Sequence, residues 1–315
     1  MSNITKKILI CEKFDHFVPT GNGWAQGLFE NGHEVYKLVY PDPTYNLSHL
    51  EEELDLVVLV GGIPTDESFF TDLHDFKNKY PHCIVASITD ASPLPHYIDV
   101  NDYVDFWFCS TMSHDLAEED FRKELDKSLY FIPLAADTSI FYNTDDALTY
   151  DFSFIGQFGE YGGHGYRHQD FYLYPFLKDK SLKSFCSGFG YEGTHYNNIA
   201  YKNLNSIYNK TKINLNFHYN HQKGEDGRFD FNTRVYDIAI AGNFQFSDHP
   251  KAKDIFGDSI PVVSKDDWVD AFYFYLNNPD ERFSLSTKAQ KICSDNHTWS
   301  ARMKYLENVI WGVSK

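Results

Sequence analysis

The chain is poor in several things, and each shortage excludes a class of protein. Five cysteines among 315 residues (Cys11, Cys83, Cys109, Cys186 and Cys293) are odd in number, far apart and form no CxxC pair. That argues against a disulfide framework or a zinc site and points to a reducing cytoplasm. The opening "MSNITKKILICEKF" is too short in apolar residues for a signal peptide. No apolar run approaches the roughly 20 residues that cross a bilayer. Basic residues are scarce, 28 Lys and Arg against 45 Asp and Glu, for a net charge of −17. The imbalance lies wholly in residues 1–150, which hold 9 basic and 26 acidic side chains, while the remainder holds 19 of each. The first half should therefore repel plain duplex DNA and anionic membranes. No internal repeat or low-complexity tract is present.

What is abundant is ordinary core material. The chain is 42% hydrophobic and 23% charged, as a globular protein is. Aromatics reach 17%, with 27 Phe and 22 Tyr, most of them expected in the core. Apolar stretches of strand length recur: "KKILICEKF" (6–14), "HEVYKLVY" (33–40), "LDLVVLVGG" (54–62), "CIVASITD" (83–90), "VDFWFCS" (104–110) and "SLYFIPLAAD" (128–137). Helix-compatible segments separate them. After a polar break at "YNTDDALTYD" (142–151) the alternation resumes with "DFSFIGQFG" (151–159), "LKSFCSGFG" (182–190), "TKINLNFHYN" (211–220) and "NFQFSD" (243–248). Such alternation predicts two Rossmann-like, doubly wound α/β halves in series. Two helices split at Asn278-Pro279 and a last helix over 299–313 close the chain. Ligands in such folds bind beyond the carboxyl ends of the strands, so the expected site is a cleft between the halves.

The segment "FNTRVYDIAIAGNFQFSD" (231–248) places Arg234 and Asp237 three residues apart in an otherwise apolar helix. They either form a surface ion pair or hold a nucleotide. In the second case Asn232 or Thr233 caps the helix, and Arg234 offers a planar fork to phosphate oxygens. Asp237 would then accept from the ribose hydroxyls. "GQFGEYGGHGYRHQ" (156–169) carries five glycines before His168. It is either a surface loop or a close-approach loop in which Gly156 and Arg167 face the diphosphate. "FDHFVPTGNGW" (14–24) reads as a loop after the first strand. Gly21 and Gly23 could sit against the diphosphate there, and Asp15 and His16 are candidate bases. Asp90, ending the fourth strand, is a further candidate base. His164 with His168, and His218 with His221, lack a companion Cys or carboxylate set, so no metal site is expected.

Several of these pieces, taken together, resemble the group-1 glycosyltransferases of the spore-maturation-protein (CgeB-like) type. The pieces are "YFIPLAADTSIFY", "YDFSFIGQF" with the downstream Arg167, "NTRVYDIAIAGNFQFSD", and the closing helices with their "NHTWSARM" segment. They span roughly residues 128–310; "GLFENGHEV" in the first half matches only in style. The resemblance implies a GT-B fold: an acceptor domain over 1–145, a nucleotide-sugar donor domain over 146–298, and a helix over 299–315 that returns to the first domain. A hexosyl- or pentosyltransferase that needs no cofactor is expected, and no essential metal, because the close acids of "DDALTYD" and "GEDGRFD" sit in an inter-domain segment and a loop while Arg228 and Arg234 could stabilise the leaving diphosphate. The family usually places Glu where this chain has Asp237. The expected activity is sugar transfer from a nucleoside diphosphate to a hydroxyl acceptor in the cytoplasm. Alternatives are transfer to modified bases in DNA, or an inactive nucleotide-sugar-binding module.

Overall fold

A computed structural model describes residues 4–12, 20–39, 46–60, 67–89, 95–110, 114–144, 146–156, 171–187, 199–218 and 231–312. The chain forms two compact units. The first comprises described residues up to Leu134 together with Trp299 onwards. It holds a six-stranded parallel sheet in the order β2-β1-β3-β4-β5-β6. The strands are β1 (Lys7–Glu12), β2 (Glu34–Val39), β3 (Leu56–Leu59), β4 (Ile84–Thr89), β5 (Phe106–Cys109) and β6 (Leu129–Phe131). Helices α1 (Thr20–Glu30), α2 (Glu67–Lys79), α3 (Pro95–Val100) and α4 (His114–Leu125) connect them. β1 and β3 are buried on both faces, so residues 8–11 and 56–59 are unbroken apolar runs, whereas edge strand β2 mixes exposed and half-buried residues.

The second unit holds a four-stranded parallel sheet in the order β10-β9-β7-β8. Its strands are β7 (Tyr150–Ile155), β8 (Ser184–Ser187), β9 (Thr211–Asn216) and β10 (Gln245–Ser247). The helices are α5 (Tyr174–Lys178), α6 (Leu204–Asn209), α7 (Arg234–Ile240), α8 (Lys251–Phe256), α9 (Trp268–Asn277) and α10 (Pro279–Asn296). Its core is largely aromatic: Phe154 stacks on Phe217 at 4.4 Å and Phe176 on Phe272 at 4.0 Å. From β7 the chain steps to β8 on one side and then returns to β9 on the other. The crevice at the carboxyl ends of β7 and β9 is thus the topological switch point of this sheet.

Two expectations are corrected here. The chain changes unit at Leu134/Ala135 rather than at 145/146. The reason is packing: the Ala136 N–H bonds the His297 carbonyl, and Phe141 lies against Tyr201 and Tyr208, all in the second unit. The second correction concerns Gly21 and Gly23, which lie in the first turn of α1 rather than in a loop. A Cβ on Gly21 would come 1.6 Å from a Glu12 carboxyl oxygen, and one on Gly23 would come 2.1 Å from the Trp299 indole nitrogen. Both glycines make room for neighbouring side chains, and a carboxyl group occupies the space expected for phosphate beside Gly21. Trp299 opens α11 (Trp299–Trp311), which packs along α1 within the first unit. Asn31 ties the two helices through the Ser300 carbonyl at 3.2 Å and Glu307 at 2.6 Å.

Candidate functional site

The second unit gathers polar side chains at the carboxyl ends of β7, β9 and β10. Helix α7 leads into them. It ends at Gly242, whose φ of 73° is the left-handed value glycine tolerates. The Asn243 N–H reaches back to the Ile238 carbonyl and the Gly242 N–H to that of Ala239, a Schellman closure. That stop turns the chain directly into β10. All residues from Val235 to Ile240 are buried, so α7 is a core helix, with α10 bonded to it through Gln290 and the Ile240 carbonyl at 3.1 Å.

Arg234 spans the switch point. Its guanidinium donates to the Ile155 carbonyl at the end of β7 and, at 3.4 Å, to the Phe217 carbonyl just past β9. It also lies over the Phe154 ring, 5.6 Å from the centroid. Gly156 permits this, because a Cβ there would stand 2.8 Å from an Arg234 nitrogen. The structure therefore brings Gly156 and Arg234 together. Burial lowers the pKa of the guanidinium, opposed by Tyr208, Asp248 and Asp237, yet a group starting near 12.5 stays charged. Two carbonyls do not exhaust five N–H donors. Among the described residues Arg234 makes no ion pair with Asp237, so the surface pair weighed from the sequence does not form.

Asp237 differs from expectation. It is 0% exposed, so the ribose contact expected of it would have to reach an enclosed carboxyl group. One oxygen, Oδ2, accepts from the Tyr201 hydroxyl at 3.0 Å, and no donor meets Oδ1 in hydrogen-bonding geometry. Burial holds its pKa well above the usual carboxylate range. The Tyr201 hydroxyl pulls the other way, the charge of Asp137 adds to the rise, and the Asp137 amide and Arg234 oppose it. Burial and the neighbouring Asp237 likewise push Tyr201 far above the ordinary phenol value. Tyr208, fully enclosed beside them, has a hydroxyl without a partner.

The capping expectation is also corrected. Neither Thr233 nor Asn232 caps α7 through its side chain; their carbonyls accept from the helix instead. Asn232 serves a different network. Its Nδ2 donates to Asn216 at 3.0 Å, Asn216 donates to Gln245 at 3.0 Å, and Gln245 donates to the Val235 carbonyl at 2.7 Å. Nearby, Asp248 accepts from the His218 backbone and ring Nδ1, both at 3.0 Å, and His218 stacks on Phe231. Sequence reasoning passed over Asn216, Gln245, His218 and Asp248 as site residues. The signal was there: Asn214 and Asn216 alternate along one face of a buried strand, with His218 two residues on, and buried polar residues need partners.

His16, Asp15, Asp90 and Arg167 lie outside the described residues. Among the described residues no group of three or more His, Cys, Asp or Glu is arranged to hold a metal ion. All five cysteines are buried and none forms a disulfide, and no described helix is long and apolar enough to cross a membrane.

Residues 167–308, somewhat under half of the chain, match a family described as glycosyl transferase-like. No curated protein matches. Among solved structures the chain is similar to an alpha-glucosyltransferase in complex with UDP and a 13-mer DNA containing an HMU base. The two are 10% identical over 98% of this chain and 100% of that one, with a TM-score of 0.67. It is also similar to Anabaena Alr3699/HepE in complex with UDP-glucose (7% identity, 98% and 100% coverage, TM-score 0.60). A third is AviGT4, a glycosyltransferase involved in avilamycin A biosynthesis (13% identity, 96% of each chain, TM-score 0.58). At such identities the likeness speaks for the fold, which is of the GT-B type with two Rossmann-like domains. Fold and family match together describe a glycosyltransferase of the GT-B type.

Proposed function

We propose that the protein moves a sugar from a nucleoside-diphosphate sugar to a hydroxyl acceptor, and that the donor is held by the second unit at the β7/β9 switch point. One observation carries this reading: a charged, half-buried guanidinium, Arg234, fixed across the carboxyl ends of those two strands. A diphosphate leaving group gains negative charge as the glycosidic bond breaks. A preorientated cation in a water-poor crevice stabilises that charge without reorganising. Ties to two carbonyls and a face on Phe154 supply the preorientation, while the remaining N–H donors of Arg234 serve the phosphate. Gly156 lets the backbone approach as closely as the guanidinium does.

In this reading Asp237 takes the ribose hydroxyls, Arg167 adds positive charge from the Gly-rich segment, and the base that deprotonates the acceptor is drawn from Asp15, His16 and Asp90. Transfer proceeds without a metal, because Arg234 supplies the positive charge that a divalent ion would otherwise bring. The acceptor is not plain duplex DNA, given the −17 carried by residues 1–150. The Arg-to-acid helix supports placing the protein with the spore-maturation type, and five cysteines without a disulfide fit a cytoplasmic setting. A panel of UDP- and GDP-sugars, scored for transfer or slow donor hydrolysis, tests the activity. Calorimetric affinities for UDP against 2′-deoxy-UDP, and GDP against its deoxy analogue, test the ribose contact. A preference of about 5- to 150-fold for the ribonucleotide is expected from one unpaired acceptor in a buried site. Equal affinities for both bases would remove Asp237 from the donor site.

A further inference from the structure

Tyr201 was not among the residues the sequence singled out, yet it is the one described side chain that donates to Asp237. We propose that the Tyr201 hydroxyl stands in for a ribose hydroxyl in the ligand-free protein and is exchanged for the ribose when a nucleoside diphosphate binds, which makes Tyr201 a determinant of donor affinity. This rests on the ribose role given to Asp237 above.

The chemistry of the pocket favours exchange. Asp237 is wholly buried and holds one side-chain hydroxyl on Oδ2, and the Asp137 amide faces the carboxyl group, while Oδ1 meets no donor in good bonding geometry. A vicinal diol brings two hydroxyls to one carboxyl group, so it replaces the tyrosine bond like for like and satisfies the second oxygen as well. The Tyr208 hydroxyl, also buried and without a partner, is a further polar group that an entering ribose finds unpaired. Native interiors leave few such groups unsatisfied, and a cluster of them calls for an occupant. Tyr201 is placed to give way. It is only half-buried and sits in a single 3-10 turn, Tyr201–Asn203, with no side-chain cap. Its ring meets Phe141 edge-on at 5.1 Å. Tyr208, by contrast, is locked in α6 and stacked on Phe141. Arg234 lies one turn from Asp237 on α7, so phosphate and ribose contacts would come from the same helix.

Tyr201→Phe keeps the ring and removes the competing hydroxyl. Net protein hydrogen bonds are worth enough that UDP or GDP should bind about 2- to 12-fold tighter to this variant, by titration calorimetry. The ligand-free variant should melt lower than the native protein, because Asp237 has lost its partner, and saturating nucleotide should recover most of that loss. Unchanged or weaker affinity in Tyr201→Phe would overturn the proposal, since a purely structural tyrosine lowers the melting temperature without tightening binding. The two readings fail separately. If the native protein prefers UDP to 2′-deoxy-UDP but Tyr201→Phe binds no tighter, the exchange is wrong and the ribose contact stands. If neither base gives a ribose preference, or if neither nucleotide binds either protein, both fall.

Discussion

Replacing Asp237 by Asn should change how stability depends on pH, and the direction follows from where the carboxyl group lies. Asp237 is enclosed, and burial raises its folded-state pKa well above the usual carboxylate range. In the unfolded chain it titrates near 3.9. Between that value and the folded pKa the folded protein binds the additional proton. Its stability therefore falls as pH rises, by about 1.4 kcal/mol per pH unit from this group alone. The contribution is fully present below about pH 3.9 and is lost progressively until pH passes the folded pKa, where the slope from this group ends. The groups facing the carboxyl are Tyr201, Tyr208, Asp137 and Arg234. Only Asp137 adds to the rise through its charge; Tyr201 and Arg234 moderate it. Asn is isosteric and uncharged, and its oxygen still accepts from Tyr201. Asp237→Asn should thus match the native protein most closely near pH 4. Above it, the variant should gain relative stability by about 1.4 kcal/mol per unit until the difference levels off. Urea unfolding followed by tryptophan fluorescence from pH 4 to 8 reads this difference directly, because titrations common to both proteins cancel. Parallel stability profiles would show that Asp237 is ionised in the folded state and would refute the burial argument.

Other outcomes follow from the same contacts. Arg234→Ala should weaken UDP or GDP binding by roughly 1.5–3 kcal/mol, the range for hydrogen bonds to charged groups, and unchanged calorimetric affinity would move the phosphate site elsewhere. Gly23→Ala should cost a net 1–2 kcal/mol or so, because overpacking against the enclosed Trp299 outweighs the helix propensity gained. A melting temperature equal to that of the native protein would show that α11 yields to the new methyl group. Plain duplex DNA should give no mobility shift at sub-micromolar protein and physiological salt, and a shift lost steeply on adding salt would reverse that expectation.

The fold was legible in the sequence because its strands are buried. A parallel strand covered on both faces must be apolar along its length, so "LVVL" at 56–59 and "IVASIT" at 84–89 stood out from their surroundings. The helix break at Asn278-Pro279 was equally plain, since proline fits a first helical turn and little else in a helix. α1 was less legible. "TGNGW" has the composition of a turn, and local propensity alone would leave Thr20 to Gly23 as a loop. The tertiary contact reverses that preference. Gly23 and Gly27 lie four apart on one face and let α11 approach so closely that a Cβ at either would strike Trp299. A pair of glycines at helical spacing beside a buried tryptophan was the available cue, and it concerns packing rather than phosphate.

The site was only half legible, for a reason that concerns polar groups in general. Sequence pattern marks which residues are chemically able to bind a nucleotide, and Arg234 and Asp237 were marked in that way. It does not say how each is satisfied when no ligand is present. A buried polar group is costly without a partner, so the ligand-free chain must supply stand-ins from its own atoms. For Arg234 these are the Ile155 and Phe217 carbonyls; for Asp237 it is the Tyr201 hydroxyl. The partners come from positions far away in sequence, on strand ends and a 3-10 turn, and no local periodicity announces them. Asn232, Asn216 and Gln245 show the same principle, each passing a hydrogen bond to the next until the chain ends on the Val235 carbonyl, with only Asn232 Oδ1 among them left unmet. That network ties the start of α7 to β9 and β10 with side-chain amides. The Asp237 corner leaves two polar atoms unmet, Asp237 Oδ1 and the Tyr208 hydroxyl. These are the groups that an entering ribose would pair, and tertiary placement rather than local pattern brings them together.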